Sequence, residues 1–463
     1  MAAGTIPTEL GTKKIGTLLK EYAVPAIIAT TASSLYNMVD SIYIGHIKDV
    51  GSYAISGLAV SFPLMNISTA LGTLVGVGAA TMISVLLGQR NYKAANKVLA
   101  NEVTLNTIIG IVFTALTLIW LDPILTFFGG SENTLPYARG YMRIILLGNV
   151  ITHLYFGLNA VIRSSGNPRL AMGLTLFTVI SNSILDPIFI FVLDMGIEGA
   201  ALATVICQMM ALSYSLRYFL NQKEFLHLPK RIFALDWRIA RESLAIGMGP
   251  FLMNLAACIV ALFINQQLRR YGGDLSIGAY GIVNRLSFLF IMICMGLNQG
   301  MQPIAGYNYG ARQYSRVKDV YFLTAKWATI VLVFGFIVSM FCPDAAVGIF
   351  TADPELKELA GKGLRTMNIF FPIIGFQMVA TTLFQCLGMV RTSILLSLSR
   401  QLLFLVPCTY LLPLWLGIHG VWYSFPISDL LASIMTLFFL VNLVRKLNRL
   451  KDGDDPSILG SQI

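Results

Sequence analysis

Long apolar runs recur along the whole chain and are separated by short polar connections. A run of about 20 apolar residues can cross a bilayer core of roughly 30 Å as a helix. Lipid offers no partners to free backbone N–H and C=O groups, so a spanning segment must be a helix or part of a closed barrel. The runs are continuous rather than alternating, and they therefore predict helices. We place twelve helices, at 17–46, 53–88, 92–121, 136–164, 168–193, 198–221, 238–270, 276–310, 313–343, 356–388, 391–415 and 418–446.

The basic residues of the connections predict how these helices are oriented. An even number of spans puts both termini on one side, and that side collects about 22 Lys and Arg, against about 8 on the other. Arg90, Lys93 and Arg312 belong to the richer side, whereas Arg269 and Lys357 belong to the poorer one. We therefore expect a multi-pass protein of the cell (inner) membrane with both termini in the cytoplasm. The net charge of +10 then reflects topology, and nucleic acid is not an expected partner.

Composition agrees with a membrane protein and disfavours several other classes. The chain has 463 residues, of which 56% are hydrophobic and only 12% charged, whereas soluble domains carry about 25% charged residues. The six cysteines form no CxxC pair, and the four histidines lack metal-ligand spacing. The sequence contains no Walker loop and no nucleophile–base motif. We expect neither an enzyme nor a cofactor, and no cleavable signal peptide is evident.

The two halves of the chain repeat each other. An offset of 222 residues pairs GQRNY, from Gly88, with GARQY, from Gly310, and an offset of 221 pairs MGIEG with LGIHG. The repeat predicts two lobes of six helices each, at 1–225 and 226–463. Because six is even, both lobes have the same orientation and are related by a pseudo-two-fold axis along the membrane normal. A cavity between two such lobes is typical of a transporter.

Acidic residues inside predicted helices distinguish the first lobe from the second. Asp40 lies in helix 1 and Asp186 in helix 5, where the repeat places Asn265 and Pro407 in the other lobe. Charges inside a membrane are costly and usually face a cavity or a partner. Separate pairing of each carboxylate with Lys or Arg is the structural alternative. No basic residue of the first half lies at their depth, which argues against that alternative.

Polar residues near the two carboxylates suggest a cation site. Asn182 precedes Asp186 by four residues and shares its helix face, as Tyr36 and Asn37 do for Asp40. Asn159 and Thr204, on helices 4 and 6, add neutral oxygens. Carboxylate, amide and hydroxyl oxygens suit a hard cation such as Na⁺, and the same carboxylates could bind H⁺ instead. Pro25 removes one backbone hydrogen bond from helix 1 and could permit a bend there.

The second half has charges of its own within predicted helices. We interpret Arg285, Arg400 and Asp429 as buried charges that form an ion pair or a polar network rather than a ligand site. Gln299 and Gln302 lie along helix 8, in a glycine-rich run. They could hydrogen-bond a substrate, or the run could simply pack helices closely; the sequence favours neither.

These motifs together resemble one family over nearly the full length of the chain. YNMVDSIYIG around Asp40, NSILDP around Asp186, QPIAGYNYGA in helix 8 and the paired MGIEGAA and LGIHGVW segments resemble the multidrug and toxic compound extrusion (MATE) transporters. Within that family the chain is most similar to bacterial branches with an acidic N-terminal lobe. The resemblance implies a V-shaped pair of lobes that exports drugs in exchange for H⁺ or Na⁺.

The resemblance also implies which residues carry the coupling ion. The family's cation site in the first lobe falls on four residues of this chain: Asp40, Asn182, Asp186 and Thr204. Tyr36 and Asn159 match neighbouring positions of that site, and Pro25 matches the bend of helix 1. Some branches place coupling carboxylates in the second lobe, on helices 7 and 10. Here those helices carry Asn265, Gln377 and Gln385 instead, so coupling through that lobe is not expected.

The function expected from the sequence is secondary active multidrug efflux. The expected protein is a monomer in the lipid bilayer that exports cationic or amphipathic aromatic compounds in exchange for H⁺ or Na⁺. A flippase for lipid-linked oligosaccharides, from the same superfamily, is the alternative. A flippase needs a basic cavity for phosphates, and only Arg285 and Arg400 are available for one.

Overall fold

The computed structural model describes residues 8–47, 50–229, 235–351 and 353–455, and they are almost entirely helical. All twelve predicted segments are helices in this structure. The helices are α1 Glu9–Thr12, α2 Ile15–Gly45, α3 Gly51–Gly88, α4 Tyr92–Ile119, α5 Leu121–Phe127, α6 Leu135–Leu147, α7 Asn149–Ser164, α8 Pro168–Pro187, α9 Gly196–Leu220, α10 Trp237–Gly310, α11 Tyr314–Phe341, α12 Pro343–Gly348, α13 Pro354–Met367, α14 Phe371–Cys386, α15 Val390–Leu398, α16 Val406–Leu411, α17 Pro413–Leu416 and α18 Ile418–Arg449.

The helices have the length and composition of membrane spans. In the described parts of the chain, nine are long and apolar enough to cross a bilayer, or up to eleven if each of two bent pairs counts as one span. One apparent helix, α10, is two spans, Trp237–Gly273 and Leu275–Gly310. They are separated at Gly273, whose φ of 70° is left-handed. The 31-residue helix α2 is not among these eleven and makes the twelfth, so the chain has the architecture of an all-helical membrane protein with twelve spans.

Two predicted spans that were expected to be continuous are sharply bent. The first bends by 56° between α6 and α7, and the second bends by 55° between α13 and α14. An asparagine lies at each bend, Asn149 at the start of α7 and Asn368 just after α13. Two other spans change to π-helix, at Ile188–Val192 after α8 and at Ser399–Leu405 after α15. These irregularities occur in equivalent helices of the two halves.

Matching turns confirm that the two halves are structural repeats. Arg90 and Arg312, which the 222-residue offset pairs, both adopt left-handed backbone conformations, with φ of 59° and 57°. Gly196 and Gly417, which begin the two related GI-x-G motifs, have φ of 57° and 56°. Side chains other than glycine rarely adopt this conformation. Its recurrence at paired positions therefore reflects the same connection built twice.

The compact units do not follow the chain order strictly. One unit comprises residues 1–12 and 28–251, and the other comprises 13–27 and 252–463. Residues 13–27 of α2 thus pack with the second unit, and the start of α10 packs with the first. Pro25 and Pro250, which the repeat pairs, lie within two residues of these two crossing points. The boundary between the two predicted lobes, 1–225 and 226–463, remains a prediction.

Within the first unit, helices α3, α7 and the start of α10 approach closely because small residues line their contacts. A Cβ on Gly76 would lie 2.6 Å from the Cα of Gly157, and a Cβ on Gly78 would lie 1.9 Å from the backbone oxygen of Ser243. Only glycine permits backbones this close, as in other membrane helix pairs. These contacts place the interior faces of three helices against one another.

Candidate functional site

Helix α8 carries the first half of the predicted cation site. Asn182 and Asp186 are both buried, with 3% and 0% of their surface exposed. The amide Nδ2 of Asn182 donates a hydrogen bond to Oδ1 of Asp186, as their spacing of four residues predicted. The other oxygen, Oδ2, is buried with no hydrogen-bond partner among the described residues. The helix changes to π geometry directly after Asp186 and Pro187, a departure that often accompanies functional sites.

Helices α2 and α9 carry the second half. Asp40 is 7% exposed, and its Oδ1 is buried without a hydrogen-bond partner in the part of the chain that is described. One turn earlier, the hydroxyl of Tyr36 lies 3.1 Å from Oγ1 of Thr204. That hydrogen bond joins α2 to α9, and Thr204 also donates to the carbonyl of Ala200 at 3.1 Å. Asp40, Tyr36 and Thr204 all belong to the first unit.

The two carboxylates interact electrostatically. Asp40 and Asp186 lie within range of each other and of the hydroxyls of Tyr36 and Tyr141. No Lys or Arg among the described residues forms an ion pair with either carboxylate. Leaving two buried carboxylates without a counter-cation costs several kcal/mol per charge. The arrangement can therefore bind a cation or take up protons, and its oxygen ligands suit a hard ion.

The structure separates the remaining predicted site residues from this group. Asn37 is exposed on α2. Asn159 is buried, but its Nδ2 donates to the carbonyl of Ala171 at 3.0 Å. Ala171 lies fifteen residues before Asp186, which is about 22 Å along a helix. Gln299 and Gln302 lie in the second unit, as does Pro25.

The first half contains a third buried carboxylate that was not predicted. Glu102, on α4, is only 1% exposed, so Asp40 and Asp186 are not the only carboxylates buried there. The signal was present, because Glu102 lies ten residues inside a predicted helix and the 222-residue offset pairs it with Thr324. Tyr141 was missed as well, since a buried tyrosine has no distinguishing sequence pattern.

The charges of the second half divide into a pair and an exposed residue. Nε of Arg400 lies 2.5 Å from Oδ1 of Asp429, and this contact confirms the predicted ion pair. Arg285, in contrast, is exposed, so its prediction as a buried charge is wrong. It lies on the face of α10 opposite to its buried neighbours Val283 and Leu286. Asp429 thus neutralises Arg400, one of the two cations that the sequence offered for a phosphate-binding cavity.

A helical membrane protein in which one unit buries carboxylates without a counter-cation is typical of membrane transporters, and comparison with known proteins identifies the family. The MatE family model matches residues 25–188 and 246–411, one match in each half. The chain belongs to this family, that of the MATE transporters.

Individual relatives agree over almost the whole length. The chain is 28% identical to the multidrug export protein MepA of Staphylococcus aureus (strain MSSA476), over 92% of this chain and 93% of the relative. It is 27% identical to the MepA protein of Staphylococcus haemolyticus (strain JCSC1435), over 93% and 94%. A solved structure of a multidrug resistance MATE family transporter in an outward-facing conformation superimposes with a TM-score of 0.89. That pair shares 24% identity, over 96% of this chain and 99% of the other.

Proposed function

We propose that this protein exports cationic or amphipathic aromatic compounds across the cell membrane in exchange for H⁺ or Na⁺. The observation that carries the proposal is the buried group on α2, α8 and α9. Asp40 and Asp186 each keep a buried oxygen without a hydrogen-bond partner among the described residues, and no described cation pairs with them. The relatives named as multidrug export proteins support drugs as the exported class.

Each residue of this group has a role in the proposed exchange. Asp40 and Asp186 bind the entering ion, and Asn182 orients Asp186 through its hydrogen bond. Thr204 offers a neutral oxygen and is itself positioned by Tyr36. An ion can drive export only if it binds one conformational state more tightly than the other. The hydrogen bond between Tyr36 and Thr204 joins two helices, so occupancy of the site can bias their arrangement.

The basic connections support a specific orientation and setting. We propose a monomer in the inner membrane with both termini in the cytoplasm, because Lys and Arg concentrate in the connections on that side. Pro25 is proposed as the point where α2 bends. It lies inside a continuous helix, two residues before the chain passes from one unit to the other. A proline at such a point removes one hydrogen bond and weakens the helix.

Transport by reconstituted protein tests the coupling role. Proteoliposomes that hold a fluorescent cationic drug are given a pH gradient or a Na⁺ gradient separately, so that the ion which drives export is identified. Asp40→Asn is expected to lower gradient-dependent export at least tenfold while drug binding to the detergent-solubilised protein persists. The matched control is Asp194→Asn, the same change at an exposed turn, which should leave export unchanged. Undiminished, gradient-dependent export by Asp40→Asn would disprove the proposal.

A further inference from the structure

A second polar cluster lies inside the first unit, on helices other than those that bear Asp40 and Asp186. It contains one carboxylate and one imidazole, Glu102 on α4 and His153 on α7. Neither is more than 1% exposed. Its neutral members are Ser68, Asn106 and Asn149, which are also buried. None of these five residues belongs to the proposed drug–ion exchange.

Asn106 links the carboxyl of Glu102 to the backbone of His153. Its Nδ2 lies 2.7 Å from Oε1 of Glu102 and 3.3 Å from the backbone oxygen of His153. The ring of His153 makes a separate contact, in which Nε2 lies 3.3 Å from the hydroxyl of Ser68, which also donates to Asn149. These hydrogen bonds join three helices, α3, α4 and α7.

The cluster has more hydrogen-bonding capacity than its own members use. Four of its buried atoms have no partner among the described residues, and each belongs to a different side chain: Glu102 Oε2, Asn106 Oδ1, Asn149 Nδ2 and His153 Nδ1. Buried polar groups normally have partners. A buried carboxyl with one unpartnered oxygen is the pattern of a group that gains and loses a proton.

Charged residues on the surrounding helices do not neutralise Glu102. Helix α3 carries no Asp, Glu, Lys, Arg or His. On α4 the cations Lys93 and Lys97 are exposed, and at the start of α10 Arg238 pairs with Glu242. On α7 the remaining cation is Arg163, ten residues beyond His153 and about 15 Å along the helix. No described Lys or Arg forms an ion pair with Glu102, so its low-energy form is the neutral acid.

The second half shows that the cluster is not needed to hold the bend. There Ser287 donates to Asn368 Oδ1 at 3.0 Å, and Asn368 Nδ2 donates to Ser339 at 2.8 Å. Ser287 and Asn368 each lie three residues before the positions that the 222-residue offset pairs with Ser68 and Asn149, so a similar serine–asparagine pair occurs at both bends. At that offset the counterparts of Glu102, Asn106 and His153 are the non-titratable Thr324, Ala328 and Gly375. The first half has therefore added a carboxyl and an imidazole to a scaffold that works without them.

We infer that Glu102, with Asn106 as its hydrogen-bond donor, forms a second proton-binding site in the first unit, separate from the Asp40 and Asp186 group. The carboxyl of Glu102 holds the proton, and Asn106 is a positioning residue that donates to its Oε1. The site does not depend on which ion drives export.

Infrared difference spectroscopy of the protein in lipid nanodiscs tests the site without any transport. A pH titration without Na⁺ or drug is recorded on an Asp40→Asn, Asp186→Asn background, which removes those two carboxyls. A protonated-carboxyl carbonyl band is expected to remain, to disappear in Glu102→Gln and to persist, shifted in frequency, in Glu102→Asp. Asn106→Ala should keep the band but move the pH at which it is lost, because it removes a hydrogen bond donated to the carboxylate, and a merely structural residue would not move it.

Several outcomes would overturn the inference. They are a carbonyl band unchanged by Glu102→Gln, a titration unmoved by Asn106→Ala, or a spectrum that responds to Na⁺ at constant pH but not to pH. Glu102→Asp keeps the test valid if Glu102→Gln fails to fold, because the frequency shift alone assigns the band. Loss of drug export by Asp40→Asn is measured separately, so failure of the second proton site and failure of the proposed exchange remain distinguishable.

Discussion

Single glycines decide how closely the helices of the first unit approach. A Cβ on Gly157 would lie 1.8 Å from Oε1 of Glu102 and 2.5 Å from Nδ2 of Asn106. Real side chains do not approach this closely, so either α7 must shift or the hydrogen bond between Glu102 and Asn106 must break. Gly157→Ala is therefore expected to destabilise the protein by about 1–3 kcal/mol, measured as a lower Tm in detergent.

Gly173 provides the matched control on the next helix. It lies inside α8, and no described atom lies within 4 Å of the position that its Cβ would occupy. Alanine stabilises a helix relative to glycine by about 1 kcal/mol, so Gly173→Ala should leave Tm unchanged or raise it. Equal losses in the two variants would show that the protein responds to any glycine replacement rather than to the close contact at Glu102.

At the scale of elements, an asparagine holds each bent span. Asn368 is fully buried between Ser287 and Ser339, which are each 1% exposed. Ser339 also bonds its own helix at Gly335, whereas Ser287 depends on Asn368 for its partner. Asn368→Ala should therefore cost about 1 kcal/mol, the scale of hydrogen bonds between membrane helices. Thermal unfolding compares it with Thr366→Ala, an exposed position on the preceding helix, where no loss is expected.

The chain after α18 is a second element held by a few polar contacts. Asp452 accepts hydrogen bonds from the backbone N and Oγ of Ser315, at 3.0 and 2.6 Å. The backbone N of Gly453 donates to the carbonyl of Arg312 at 2.8 Å. Ser315→Ala removes one donor without altering the tail, so trypsin should cleave after Lys451 several times faster. Ser213→Ala, at another exposed helix position, should leave the cleavage rate unchanged.

The same contact predicts how the tail responds to acid. Partial burial raises the pKa of Asp452, but the hydrogen bonds from Ser315 and the backbone of Tyr314, with the charge of Lys318, outweigh it, so the net pKa lies below its ordinary value. Because the pKa of Asp452 is lower in the folded protein, its contacts stabilise the docked tail fully at any pH above the pKa of an unfolded Asp, about 3.9. That stabilisation is lost as the pH falls through the lower folded value. Hydrogen exchange of residues 450–455, corrected for intrinsic rates, should stay slow down to about pH 4 and accelerate below it.

The sequence predicted these elements unevenly. The twelve helices, the repeat and the Asn182–Asp186 contact follow from apolar runs and from spacing along one helix. The bends at Asn149 and Asn368 do not follow from such patterns. Pro372 lies just after the second bend but no proline lies near the first, and the serine partners of both asparagines lie 81 residues away along the chain. The link from Glu102 through Asn106 to the backbone of His153 was not predicted either, because it joins two helices. Contacts within a helix are encoded locally, whereas contacts between helices require the tertiary fold.

At the scale of the whole molecule, the two units differ in whether their buried charges are paired. The first unit leaves Asp40, Asp186 and Glu102 without a described counter-cation. The second closes its buried charges into the pair Arg400 and Asp429, whose side chains are 23% and 4% exposed. A closed pair has no capacity for an incoming ion, whereas unpaired carboxylates do. Ion coupling is therefore expected to reside in the first unit, with the pair of the second unit serving stability.

Two variants of the Arg400–Asp429 pair test whether ion coupling resides in the first unit. One changes Arg400 alone, and the other changes both residues. Arg400→Met alone leaves Asp429 buried without its partner, and removal of one member of a buried pair typically costs about 3–5 kcal/mol. The double variant Arg400→Met, Asp429→Leu removes both charges, so it should recover most of the Tm lost by the single variant. In proteoliposomes, the folded double variant should retain gradient-dependent export within about twofold of the wild type, unlike Asp40→Asn. A double variant that unfolds at the wild-type temperature yet no longer responds to the ion gradient would place coupling in the second unit and contradict the asymmetry.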